Sequence, residues 1–166
     1  MAPAGIYLEM TDPSHLRPSP RVPELVVDEV SPSAAPTICR LYREIWNNSG
    51  RSAWSPERWA EELSPPHIRT WIARIGEDPV GFAEIGWQAN GHVAIVVIGI
   101  VPPFQGRGIG GDFVSRMTHM AWKTPTSDGR PTTRVWLWTV PDEHPHTIPN
   151  YLSRGFSETE RGNEAD

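Results

Sequence analysis

The stretch Gln105-Gly106-Arg107-Gly108-Ile109-Gly110 constrains the fold more than any other part of this 166-residue chain. The apolar run Val93–Val101 precedes it, and Ile109, Phe113, Val114, Met117, Met120 and Ala121 follow at the 3–4 spacing of a helix. A strand therefore runs through a glycine-rich turn into a helix. Such a turn aims unpaired backbone N–H groups and the positive end of a helix dipole at one point. Glycines let a ligand approach the backbone closely, and phosphate or pyrophosphate is the natural ligand. Arg107 adds a cation. The plain alternative is a tight turn that needs only positive φ. Three glycines in five residues with an arginine among them favour the anion site.

Gly106, Gly108 and Gly111 also satisfy the dinucleotide fingerprint G-x-G-x-x-G. That motif belongs near the start of a βαβ series, with an acidic residue about 20 positions on to hold a ribose. Asp128 falls in the loop-like Thr126-Ser127-Asp128-Gly129, Asp142 and Glu143 lie too far along, and the upstream chain reads as antiparallel hairpins. The dinucleotide reading fits poorly.

A second match is closer. Val101–Gly110 resembles the acyl-CoA pyrophosphate loop of the GNAT acetyltransferase superfamily, Q/R-x-x-G-x-G/A, through Gln105, Gly108 and Gly110, with the preceding Val-x-Pro. Asn150-Tyr151-Leu152-Ser153-Arg154-Gly155-Phe156 resembles the family's late helix, where a tyrosine stands four residues before Gly-Phe. The resemblance covers about residues 24–157.

The remaining residues are consistent with one compact domain. No apolar run reaches the ~18 residues of a membrane span, and the absence of a basic-then-apolar leader suggests a cytoplasmic protein. Cys39 is alone, so neither a disulfide framework nor a cysteine metal site is expected. The net charge of −5 argues against nucleic acid as a partner. Residues 1–23, with Pro3, Pro13, Pro18, Pro20 and Pro23, read as a flexible arm with little regular structure. A strand is expected over Leu25–Val30 and a helix from near Pro36 that buries Ile38, Leu41, Tyr42, Ile45 and Trp46. A second helix should open at Ser55-Pro56-Glu57. Strands over Thr70–Ile75, Val80–Trp87 and His92–Val101 follow, with Asn90-Gly91 as a hairpin turn. A helix to about Lys123, a strand over Arg134–Val140 and a helix over about 146–154 complete the order β-α-α-β-β-β-α-β-α. This is an α/β (α+β) fold, a mixed and mostly antiparallel sheet with helices on both faces. Family members continue past Gly-Phe with a further strand, whereas here Ser157–Asp166 are polar and acidic, and 158–166 read as an acidic tail. The last strand is expected to be short or missing, leaving an open edge that invites a homodimer.

The resemblance implies acetyl-CoA as co-substrate and transfer of its acetyl group to the amine of a small molecule, by direct attack through a tetrahedral intermediate. A peptide N-terminus is an alternative acceptor, and a non-catalytic acyl-CoA-binding module an alternative role. The implied cofactor-binding residues are Ile100, Val101, Gln105, Gly106, Arg107, Gly108, Ile109 and Gly110. Tyr151 matches the family's general acid. Backbone N–H groups near Gly99–Val101 are candidate oxyanion donors, although Gly99 reads equally well as a packing glycine. For the base, Glu84 and His144 lead, followed by His92 and His146, and a water-relayed base is expected. No metal is expected, since His144 and His146 lack a distant third partner. Of Trp46, Trp54 and Trp59, which surround the first two helices, Trp54 is the candidate for substrate contact and the other two for packing.

Overall fold

A computed structural model describes residues 5–47, 49–141 and 145–165. Seven strands and four α-helices follow one another: β1 (Ile6–Met10), β2 (Leu25–Val30), α1 (Ala35–Ile45), α2 (Pro56–Leu63), β3 (Ile68–Ile75), β4 (Asp78–Trp87), β5 (His92–Ile100), α3 (Ile109–Lys123), β6 (Arg134–Thr139), α4 (Thr147–Arg154) and β7 (Ser157–Thr159). Among the described residues the sheet order is β2-β3-β4-β5-β6-β1-β7, and only β5 and β6 run parallel. Among the described residues no helix is long and apolar enough to cross a membrane.

Local chemistry explains the boundaries. Ser55 Oγ accepts the Arg58 N–H at 3.1 Å, and Pro56 occupies the first turn, so α2 starts where a cap and a preset φ coincide. Asn90 and Gly91 both take positive φ, 61° and 79°, the geometry of a primed turn whose twist matches its strands. Helices cover both faces. On one, the Phe82 ring of β4 meets Tyr42, Trp46 and Trp59 from α1, its C-terminal turn and α2. On the other, Trp87 donates its indole N–H to the Ala121 carbonyl of α3 at 3.2 Å. Ile38, Trp59, Ile72, Phe82, Ile85 and Phe113 form the middle of the core, essentially without solvent contact.

The expected N-terminal arm is corrected. Residues 6–10 form β1, in register with β6 from Ile6↔Thr139 to Met10↔Val135. Ile6, Leu8 and Met10 alternate with Tyr7 and Glu9, and this period-2 pattern buries Leu8 and Met10 almost fully. The prolines that follow do not leave the chain loose. Arg17 N–H donates to Arg154 O, Ser19 N–H to Ser115 Oγ and Val22 N–H to Asp112 Oδ2, which straps residues 17–22 across α3 and α4.

The expected open edge is corrected too. β1 fills the place beside β6, and the three-residue β7 pairs with the outer side of β1. The edge that motivated a homodimer is thus covered by the chain itself. Nor does the tail stand free. The buried Arg134 donates to the carbonyls of Arg161 and Gly162 at 2.9 and 2.7 Å and to Glu9 Oε1 at 2.8 Å, so one guanidinium ties β6, β1 and the tail together.

Candidate active site

β5 and β6 stay in register only over His92–Ala94 and Arg134–Trp136, and then part. The cause lies in β5. Glu84 faces Val97 while Ile85 faces Ile95, so Val96 is an extra residue, and a bulge bends the strand that carries it. The gap opens into a cleft of about 720 Å³ between β5, β6, α4 and the start of α3.

The register decides which backbone groups face this gap. Val101 N–H donates to Val80 O at 2.8 Å, so by antiparallel alternation Gly99 also faces β4, whereas Ile98 and Ile100 turn their backbone groups toward the gap. Gln105 Nε2 takes the Ile100 carbonyl at 2.8 Å and ties the loop to the strand end. Of the backbone donors considered near Gly99–Val101, the amide of Ile100 is available, together with that of Ile98, while Val101 is committed to β4. Gly99 serves packing: a Cβ there would lie 2.6 Å from Cη2 of Trp46.

The glycine loop forms the mouth. Gly106 and Gly108 adopt φ of 77° and 80°, which side chains other than glycine rarely take, and Gly108 caps α3. The ladder of α3 begins with Asp112 N–H donating to Gly108 O at 3.2 Å, so the amides of Ile109, Gly110 and Gly111 emerge from the helix end. Gly106, Gly108, Gly110 and Gly111 line the cleft, and so do Ile100 and Gln105. The other three loop residues implied by the resemblance lie elsewhere. Val101 and Ile109 are buried in the core behind the loop. Arg107 lies outside the cleft lining, with its guanidinium 5.0 Å from the Phe104 ring centroid.

Across the cleft, α4 ends in a Schellman motif. Gly155 takes φ 107°, its N–H donates to Leu152 O, and Phe156 N–H donates to Tyr151 O at 3.1 Å. The Phe156 ring meets that of Tyr151 edge-on at 5.7 Å. The tyrosine-to-Gly-Phe spacing therefore has a mechanical meaning: the helix terminator grips Tyr151. Tyr151 lines the cleft, and burial pushes its phenol pKa well above the ordinary value. Among the described residues nothing hydrogen-bonds its hydroxyl.

Glu84, a leading candidate for the base, is completely buried on the α1–α2 face and does not line the cleft. Arg51 Nη1 donates to Glu84 Oε1 at 2.8 Å, and the same guanidinium reaches Glu62 at 3.4 Å. Burial pushes the Glu84 pKa up to about 8 against the pull of Arg51, and the neighbouring Glu62 carboxyl adds to the rise. His92 sits at the closed end of β5 beside Arg134, and burial together with Arg134 and Arg161 lowers its pKa. His146 lines the cleft at the start of α4. His144, with Asp142 and Glu143, lies outside the described residues.

The tryptophans exchange their expected places. Trp54 is held between Arg51 and Arg58, whose guanidinium carbons lie 4.4 and 4.6 Å from its ring centroid, and it does not line the cleft. Trp46 does line it, beside Gly99. Trp59 is fully buried, as a packing ring should be. A strand-by-strand sequence reading sees that Trp46 ends a helix, but not that a glycine on β5 makes room for its ring.

Residues 35–156 match the Acetyltransferase (GNAT) family, and the chain belongs to it. No curated protein matches it in sequence. Among solved structures, a functionally unknown conserved protein from Staphylococcus epidermidis superposes with a TM-score of 0.71 at 18% identity, over 93% of this chain and 57% of that one. This chain thus spans little more than half the length of that neighbour. An aminoglycoside acetyltransferase from an uncultured soil metagenomic sample, in complex with sisomicin, gives 0.65 at 14% identity over 86% of this chain and 94% of its own. The aminoglycoside N-acetyltransferase AAC(6')-Iy in complex with CoA gives 0.60 at 19% identity over 84% and 91%. These likenesses establish the fold.

Proposed function

We propose that the protein is an N-acetyltransferase that moves the acetyl group of acetyl-CoA to the amine of a small molecule. The observation that carries this is the alignment of three features on one cleft: the α3 amides, the gap-facing backbone of Ile98 and Ile100, and the Tyr151 hydroxyl. The residues fit acyl-CoA. The bare amides of Ile109, Gly110 and Gly111 at a helix N-terminus suit a pyrophosphate. The gap side of β5 offers an extended arm the hydrogen bonds of a missing neighbouring strand. Acetyl-CoA supplies an acyl group activated as a thioester. The Ile98 and Ile100 amides are placed to stabilise negative charge developing on the acyl oxygen. Tyr151 keeps its proton across the neutral range and donates it to the departing sulfur. Glu84, locked behind the sheet by Arg51, leaves removal of the amine proton to water in the cleft, with His146 at its edge.

Gly110→Val tests the anchor. The nearest heavy atom to a new Cβ there is Asn150 Nδ2 at 3.9 Å, so the fold tolerates the side chain while the anion site does not. Calorimetry should show acetyl-CoA binding weakened about ten-fold or more, roughly 1.4 kcal/mol. Unchanged affinity in the folded variant refutes the anchor. A protein that binds acetyl-CoA yet releases no thiol with any amine is an acyl-CoA-binding module instead.

A further inference from the structure

Besides the glycine loop, the cleft lining includes the apolar and aromatic side chains of Tyr42, Trp46, Val96, Val97 and Trp138, with Ser49, Thr139 and His146 among its uncharged polar members. Resting on the acetyltransferase reading above, we propose that the acceptor is an apolar primary monoamine, arylalkyl or alkyl, taken up as its uncharged free base. Val96 and Trp138 are 39% and 51% exposed, and the other exposed large apolar side chains, Val26 and Leu152, lie outside the cleft. Apolar surface left open in a concavity is surface a ligand covers. The Trp46 ring is held there by its neighbours, 4.8 Å from Tyr42 and edge-on to Phe82 at 6.5 Å, so it presents a rigid aromatic wall.

Charge points the same way. Among the described residues no Asp, Glu, Lys or Arg lines the cleft. An ammonium entering it sheds water and meets no described carboxylate, and desolvation disfavours the charged form. The cleft thereby selects the free base, the only form with a lone pair to attack. A polycation would carry each of its charges into the same surroundings. In the transfer, the amine nitrogen bonds to the acyl carbon to give the tetrahedral intermediate, whose collapse then breaks the carbon–sulfur bond. Tyr151 gives the sulfur its proton, and the proton lost by the new amide nitrogen returns through water to Tyr151.

Thiol release by the full chain is measured with phenethylamine, hexylamine, spermidine and sisomicin over a range of pH. The expected kcat/KM is higher for the two apolar amines by about ten-fold or more, and it rises with pH along the acceptor's own pKa. Val96→Asp places a carboxylate on an exposed wall position where little packing is lost, and should move the ratio toward spermidine by about ten-fold. Asp142→Asn with Glu143→Gln should leave the preference as it was. Faster turnover of sisomicin or spermidine by the unaltered protein, or a preference that disappears in the Asp142/Glu143 variant, overturns the inference and leaves the transferase reading standing. Bound acetyl-CoA with no thiol release from any amine overturns both.

Discussion

Tyr151 and Glu84 are both buried ionisable groups, and their surroundings give them different work. Tyr151 opens onto the cleft, and burial alone raises its pKa, so it remains a proton donor over the whole neutral range. Tyr151→Phe keeps the ring against Phe156 and removes only the donor. Loss of a positioned general acid costs a factor of roughly 10² to 10⁴ in rate, so turnover should fall into that range while acetyl-CoA affinity holds. Near-normal turnover in a folded variant makes Tyr151 a packing residue. Glu84 has no view of the cleft. Its pKa rises from 4.5 in the unfolded chain to about 8 in the fold, so between these values the native state holds a proton that the unfolded chain has released. Stability therefore declines as pH climbs through that window and levels off above it. Glu84→Gln abolishes this slope: thermal midpoints measured from pH 5 to pH 8 should show the variant gaining on the natural protein. Parallel curves would contradict the raised pKa.

At the scale of elements, β1 is the decisive addition. It gives β6 its outer neighbour and thereby supports one wall of the cleft. Leu8 is wholly enclosed, and truncating a buried leucine costs about 2–5 kcal/mol. Urea unfolding of Leu8→Ala should show a loss of that size; a change of a few tenths would mean that β1 is dispensable. The elements from β2 to α4 were legible because their signals are local: the Ser55 cap, the Asn90-Gly91 turn and the glycine loop each act within a few residues. β1 offered a similar local signal in Ile6, Leu8 and Met10, but the five prolines around it dominated the reading. Its partner β6 is set by tertiary pairing, which short-range pattern does not carry.

Across the whole molecule, the glycine loop and Tyr151, which both line the cleft, were legible in the sequence because each belongs to a motif with its own backbone signature. Glu84 and the tryptophans were not. Whether a strand glutamate faces a cleft or an arginine behind it depends on which face of the sheet it occupies, and that is set by tertiary packing such as the Arg51 contact rather than by local pattern. Trp46 reaches the cleft only because Gly99 has no side chain. The pairing of Ile6 with Thr139 also sets a timetable for biosynthesis. A ribosome releases β1 before any other described strand, yet β1 finds its place only after β6 has emerged. Until then Leu8 and Met10 are carried in water and the cleft has one wall. The entropic cost of closing so long a loop grows only slowly with its length, but the closure delays folding. A working cleft thus waits both for α4 to be made and for β1 to return to β6, and nascent chains halted before Thr139 should leave β1 open to protease attack.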